Sequence, residues 1–195
     1  MMSPMFRYFL GFQVPADRAG WLARQLPRAT GDLFGALNPH LYHLTLCTIG
    51  ETMVRHPFLR QQVAGALKDG LPAASPIPFG RIVAGDMGAE VTSVGSIAEI
   101  RAFYGALVGL LAPHGIAPMH RQSGLRPHIT LGYGRCDFDP VPLAWTWVPR
   151  DLVLIESHVG HRRHRVLQSW ILPSPAQGAF DFMADDLPPP LLCAA

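Results

Sequence analysis

Charge is scarce in this 195-residue sequence: acidic and basic residues make up 15% of it and nearly cancel, to a net +2. A protein that grips long nucleic acid through many phosphates carries a larger basic excess, so such a partner is expected only at a small site. Cysteine is scarcer still. Cys47, Cys136 and Cys193 are odd in number and share no close pair, which supports neither a disulfide framework nor a thiolate zinc site and reads as free thiols in a reducing cytoplasm. Long apolar runs are missing as well: "AFYGALVGLLAPHG" is too short to span a bilayer and stops at Pro113. The opening "MMSPMFRYFLGFQVP" is interrupted by Arg7 and Gln13 and lacks a small-residue cleavage pattern, so no signal peptide is expected. There is no Walker loop and no dinucleotide fingerprint, and "GDMGAE" (Gly85 to Glu90) reads as a turn between strands.

What is present is a chain that is 49% hydrophobic, enough for one sizeable core. It also carries one pattern twice. "HLTL" (His43 to Leu46) returns as "HITL" (His128 to Leu131). With nine His and seven Thr in the chain, roughly 0.04 occurrences of His-x-Thr-Leu are expected by chance. The repetition asks for a reason.

The surroundings repeat too. Phe6 to Val14 alternates and is closed by Pro15, as a strand; Ala16 to Leu26 has Trp21, Leu22 and Leu26 at helical spacing; Tyr42 to Ile49 is then the first motif strand. A second helix is expected from about Pro57 to Leu67. After the Pro-rich bend "LPAASPIP" come two short strands, "FGRIVAG" and "AEVTSVG". A helix follows, opened by Ser96 as N-cap with Glu99 three residues on, and closed near Pro113 and Gly115. His128 to Tyr133 is the second motif strand, and further strands are expected at Asp151 to His158 and Val166 to Leu172, around the turn "VGHRRHR". The order strand, helix, motif strand thus occurs twice. It predicts an α+β fold of two pseudo-symmetric lobes from an internal duplication, with antiparallel strands, helices packed outside and a groove between the lobes. Residues 1–178 are read as one bilobal domain, and 179–195 as a flexible acidic and Pro-rich tail.

Side chains alternate along a strand, so His43 and Thr45 share one face, as do His128 and Thr130, while the aliphatic partners turn to the core. If the two strands lie side by side, two imidazoles and two hydroxyls converge. That set suits a phosphodiester: one imidazole accepts a proton, the other donates one, and the hydroxyls hold the non-bridging oxygens. The His40/His43 and His161/His164 spacings would chelate a metal only on a helix, which neither context predicts, so no metal site is assigned. Trp145 and Trp147 alternate with Thr146 and read as core.

The paired motifs and their flanks, "FRYFLGFQVP", "HLYHLTLCTIGE", "RPHITLGYG" and "LVLIESHVGHRRHRVLQSWIL", resemble the 2H phosphoesterase superfamily, and within it the bacterial 2′-5′ RNA ligase and RNA 2′,3′-cyclic phosphodiesterase branch. The likeness covers about Phe6 to Leu172. It implies an enzyme needing neither ATP nor metal that opens 2′,3′-cyclic phosphates of RNA ends or small nucleotides to 2′-phosphates, with reversible 2′-5′ ligation in some members. It implies His43 as proton donor, His128 as proton acceptor, and Thr45 and Thr130 as phosphate ligands. No cofactor, membrane or obligate protein partner is implied. Two departures stand out. Many members have Lys-Phe after the first motif, where this chain has Cys47-Thr48, and many place an Arg shortly after the second, where it has Gly132-Tyr133. Tyr133, Arg126 and Arg162 are the candidate further substrate contacts: Tyr133 faces away from Thr130 unless the strand twists, and Arg126 and the turn "HRRHR" (His161 to Arg165) are the candidates to supply positive charge. The alternatives are the same chemistry on another small cyclic phosphate or a 2′-5′ oligonucleotide, and a non-catalytic RNA-end-binding module.

Overall fold

The alternation at the start of the chain becomes β1 (Phe6–Gln13), followed by α1 (Ala16–Gln25), a short β2 (Gly35–Ala36) and β3 (His43–Thr52), the first motif strand. Then come α2 (Leu59–Ala66), β4 (Ile77–Gly85), β5 (Gly88–Ser93), α3 (Ala98–Leu111) and β6 (His128–Tyr133), the second motif strand. β7 (Val141–Trp147), β8 (Asp151–His158) and β9 (Arg163–Ile171) complete the series. The structure is a computed structural model and describes residues 5–27, 34–85, 87–119 and 124–174. The expected tail, 179–195, lies outside the described residues.

These strands join one antiparallel sheet in the order β7-β4-β5-β6-β3-β1-β8-β9, with β2 paired to β6. The expected lobes are therefore two halves of a continuous sheet. Outward from the β6–β3 seam, each half runs motif strand, then the strand that comes before its helix, then two more. The seam is narrow: Leu44 opposite Ile129 is its one register pair, and both side chains are fully buried.

One face of the sheet carries the main core. Tyr8, Leu10 and Phe12 of β1, Leu44 and Leu46 of β3, and Ile129 and Leu131 of β6 belong to it. Ile100, Phe103, Tyr104, Leu107 and Leu111 recur at helical spacing along α3 and form the helix's contribution to that core. On the opposite face Phe9, Val153 and Ile155 make a separate small cluster. Trp145 and Trp147 are buried, stacked on each other at 5.6 Å, as core residues.

Element ends differ from expectation where local chemistry competes. α3 starts at Ala98 with Ile97 at the cap position; Ser96 Oγ still accepts from Ala98 N–H at 3.2 Å, one residue early. α2 starts at Leu59 rather than Pro57. β9 starts at Arg163, so the tip between β8 and β9 is tighter than the charged run predicts, closed by Gly160 and Arg162 with left-handed φ of 81° and 50°.

Gly11 of β1 sets how closely β1 approaches β3. A Cβ there would strike the Leu44 carbonyl oxygen. Gly11→Ala is expected to cost about 1–3 kcal/mol, because backbone rather than a flexible side chain must move. Chemical denaturation at constant m-value checks it.

Candidate active site

The seam register decides where the motif side chains go. With Leu44 opposite Ile129 and both turned to the core, His43, Thr45, His128 and Thr130 fall on the other face. All four line a single cavity of about 380 Å³ there.

The imidazoles are held in the same way. His43 Nδ1 lies 2.7 Å from the Leu41 carbonyl oxygen, and His128 Nδ1 lies 2.8 Å from that of Arg126, each two residues upstream. A carbonyl only accepts, so each Nδ1 carries the proton and each Nε2 is left for chemistry. A short turn at Pro39–Leu41, capped by Asn38 Oδ1 accepting from His40 N–H at 3.3 Å, presents the Leu41 carbonyl. His43 also stacks on Phe9, with ring centroids 4.7 Å apart, and meets His164 edge-on at 5.0 Å. His128 is more open; its Nε2 is 4.0 Å from Glu90 Oε2.

Burial pulls the His43 pKa down to about 4, with smaller contributions from the nearby His164 and His128 imidazoles, while the Leu41 carbonyl works the other way. Desolvation also lowers His164, with help from His40. Cys47 lines the cavity as a buried thiol, pushed up to about 12 by desolvation, so it is no nucleophile.

No protein-family model matches the sequence, and no curated protein matches it. Solved structures do. E. coli LigT complexed with 3′-AMP matches at a TM-score of 0.65 and 18% identity, over 88% of this chain and 99% of that one. A crystal structure of a phosphoesterase gives 0.65 and 18%, over 86% and 98%. TT0787 of Thermus thermophilus gives 0.58 and 18%, over 86% and 98%. The chain has the fold of LigT.

LigT has also been crystallised with phosphate, ATP and NADP+. A shared fold does not assign a substrate, so the chemistry here has to come from this chain's side chains. In its LigT fold a larger cavity, about 810 Å³ and lined by residues such as Gln13, Arg18, Trp147 and Arg150, contains no motif residue. The smaller one holds all four motif side chains.

Of the other expected contacts, Arg126 lines the motif cavity but is ion-paired with Glu90. Tyr133 corrects the simple alternation. Between β5 and β6, Ala89 pairs with Gly132 and Glu90 with Thr130, so Leu131 is the extra residue of a bulge. Leu131 and Gly132 are consequently both buried, and Tyr133 comes round to line the cavity, 49% exposed. Arg162 is not among the lining residues; its guanidinium rests against Gly35, the partner of Tyr133 in the β2–β6 pairing.

The sequence did not single out Phe9, Ser157 or, above all, His164 as lining residues, nor Glu90, which does not line the cavity but approaches His128. His164 had a signal. Extending the β9 alternation back through "RHRV" turns His164 to the face opposite Arg163 and Arg165, but the charged run reads as a solvated turn.

Proton linkage at His43 has a consequence for stability. Its folded pKa of about 4 lies below the ordinary 6.5, so the unfolded chain binds more protons between these values and stability falls as pH drops through that window. The expected loss is about 3 kcal/mol by pH 4. His43→Asn should remove that share of the acid sensitivity, as read from thermal melts at pH values of about 7 and 4.5.

Proposed function

We propose that the chain is a 2H phosphoesterase that opens 2′,3′-cyclic phosphates at RNA ends or on nucleotides to 2′-phosphates without metal or ATP, with 2′-5′ ligation as the reverse mode. The observation that carries this reading is the Leu44–Ile129 pair, which aligns the two motifs so that two imidazoles and two hydroxyls share one cavity. Binding alone does not require two titrating rings, which favours an enzyme over an RNA-end-binding module.

In the hydrolytic direction His128 Nε2 accepts a proton from water as its oxygen bonds to phosphorus. The bond from phosphorus to O3′ breaks, and His43 Nε2 donates its proton to the departing O3′. Thr45 and Thr130 donate hydrogen bonds to the non-bridging oxygens, where negative charge builds. Ligation exchanges the two histidines' duties by microscopic reversibility. Tyr133 offers an aromatic face to a base at the rim, and Phe9 backs the His43 ring.

A donor must hold a proton, and His43 does so in the empty cavity only below about pH 4. The substrate supplies the remedy. A single negative charge about 4 Å away is worth about 4 kcal/mol at an effective dielectric constant near 20. Restoring the ring to its ordinary pKa requires about 3 kcal/mol. A bound phosphate therefore suffices to protonate its own acid.

The cavity is small, at about 380 Å³, which keeps small cyclic phosphates in view as the second reading. Turnover of a cyclic-phosphate-ended oligonucleotide beside that of a mononucleotide 2′,3′-cyclic phosphate separates the two. EDTA treatment is expected to leave either rate within about twofold, since no step uses a metal ion. Binding of RNA ends without turnover of any cyclic phosphate would replace the enzyme reading with the module.

A further inference from the structure

Neighbouring residues of the β8–β9 hairpin face opposite sides of the sheet. Ser157 and His164 line the motif cavity, whereas Glu156 and Arg165 line a separate cavity of about 430 Å³ beside α2. This second cavity is basic. Arg55, Arg60, Arg165 and His56 line it, and among the described residues Glu156 is its one carboxylate.

Glu156 is buried and already committed. Its carboxylate lies 3.1 Å from Arg55 Nε and 3.4 Å from Arg165 Nε, and accepts from the Tyr8 hydroxyl at 3.2 Å. A buried carboxylate needs such partners, but one negative charge offsets one positive charge. Three guanidiniums against one carboxylate leave a surplus of two positive charges in one cavity, with His56 counted neutral. The arginines are placed to use it. The Arg55 and Arg165 side chains are 61% and 59% exposed, and although Arg165 Nη2 also donates to Glu156 Oε2 at 3.5 Å, both guanidiniums keep exposed surface toward a ligand. Arg60 is exposed and makes no ion pair among the described residues. Guanidinium forks of this kind match phosphate oxygens.

The hairpin tip connects the two cavities. Arg162 rests against Gly35, next to Tyr133 at the rim of the motif cavity; Arg163 is exposed; Arg165 enters the basic cavity. Cations thus run round the tip from one site to the other, in a protein whose charges otherwise nearly cancel.

We propose that the Arg55–Arg60–Arg165 cavity is a second phosphate-binding site, which takes a backbone phosphate of the polynucleotide whose terminal phosphate occupies the motif cavity. The proposal rests on the cyclic-phosphate reading of that cavity and names its substrate class as an oligonucleotide. The small cavity holds the reacting end, and the basic one holds the chain.

The test is equilibrium binding by the intact chain, Arg60→Glu and Arg60→Gln. The ligands are an RNA decamer ending in a 2′-phosphate, 2′-AMP and inorganic phosphate, each titrated across a salt series. The intact chain is expected to bind the decamer at least about tenfold more tightly than 2′-AMP. Arg60→Glu should erase most of that ratio, Arg60→Gln part of it, and the salt slope for the decamer should fall by about 0.7 for the one phosphate no longer neutralised. A ratio unchanged by Arg60→Glu overturns the proposal. So does a loss confined to inorganic phosphate, which would make the cavity a free-anion site. Turnover is scored separately: a decamer advantage abolished in Arg60→Glu, in a protein that hydrolyses no cyclic phosphate, supports the second site and sinks the catalytic reading.

Discussion

Replacing either His43 or His128 with Asn is expected to lower kcat on a 2′,3′-cyclic phosphate by about 10²–10⁴-fold while the protein stays folded. Asn is the informative choice because its amide N–H can take over the hydrogen bond that each Nδ1 makes to the carbonyl two residues upstream. What disappears is the Nε2 that gives or takes a proton. KM should change much less than kcat, since the threonine hydroxyls that hold the phosphate are untouched. Losing both rings should cost little more than losing one, because acid and base act in the same step and such effects do not add. A rise in KM with kcat preserved would contradict the assignment.

The second large effect concerns the proton on His43. With the cavity empty its titration midpoint should lie near 4, about the value that burial imposes. With inorganic phosphate bound it should rise to about 6 or above, a shift of roughly two units, because the anion's charge outweighs the desolvation that depresses it. Reciprocity then requires phosphate affinity to strengthen by about 100-fold as pH falls from near neutral toward about 4. NMR titration of the His43 ring, free and phosphate-saturated, reads this directly, and His164→Ala should raise the free midpoint by removing one imidazole facing the ring. A midpoint unmoved by phosphate would mean that His43 cannot act as the acid near neutral pH, and would reverse the two histidines' roles.

Much of this was legible in the chain. The motif strands, the long helix and the burial of Trp145 and Trp147 follow from alternation, helical spacing and proline stops, which are local. The convergence of His43, Thr45, His128 and Thr130 was legible as a conditional, since a period of two fixes the face but not the neighbour. Non-local geometry supplied the rest. The narrow seam that sets Leu44 against Ile129 cannot be read from either strand alone. The bulge at Leu131 reverses the side on which Tyr133 emerges, and in "HITLGYG" its one local mark is the glycine inside the strand, Gly132. His164 and Arg165 were hidden by their own charge: a run of His and Arg reads as solvent-facing, yet one residue meets His43 and the next a buried Glu156. Arg162 does not line the motif cavity but reaches Gly35, the register partner of the rim residue Tyr133, where the hairpin turns back tightly at a left-handed residue.

The most direct test of the central claim is hydrolysis of an RNA oligonucleotide ending in a 2′,3′-cyclic phosphate, run in ¹⁸O-water with EDTA-treated protein. Two-histidine catalysis predicts a 2′-phosphate product carrying one solvent oxygen, formed by the intact chain and absent with either His43→Asn or His128→Asn. A 3′-phosphate product, or turnover that survives removal of both imidazoles, would contradict it.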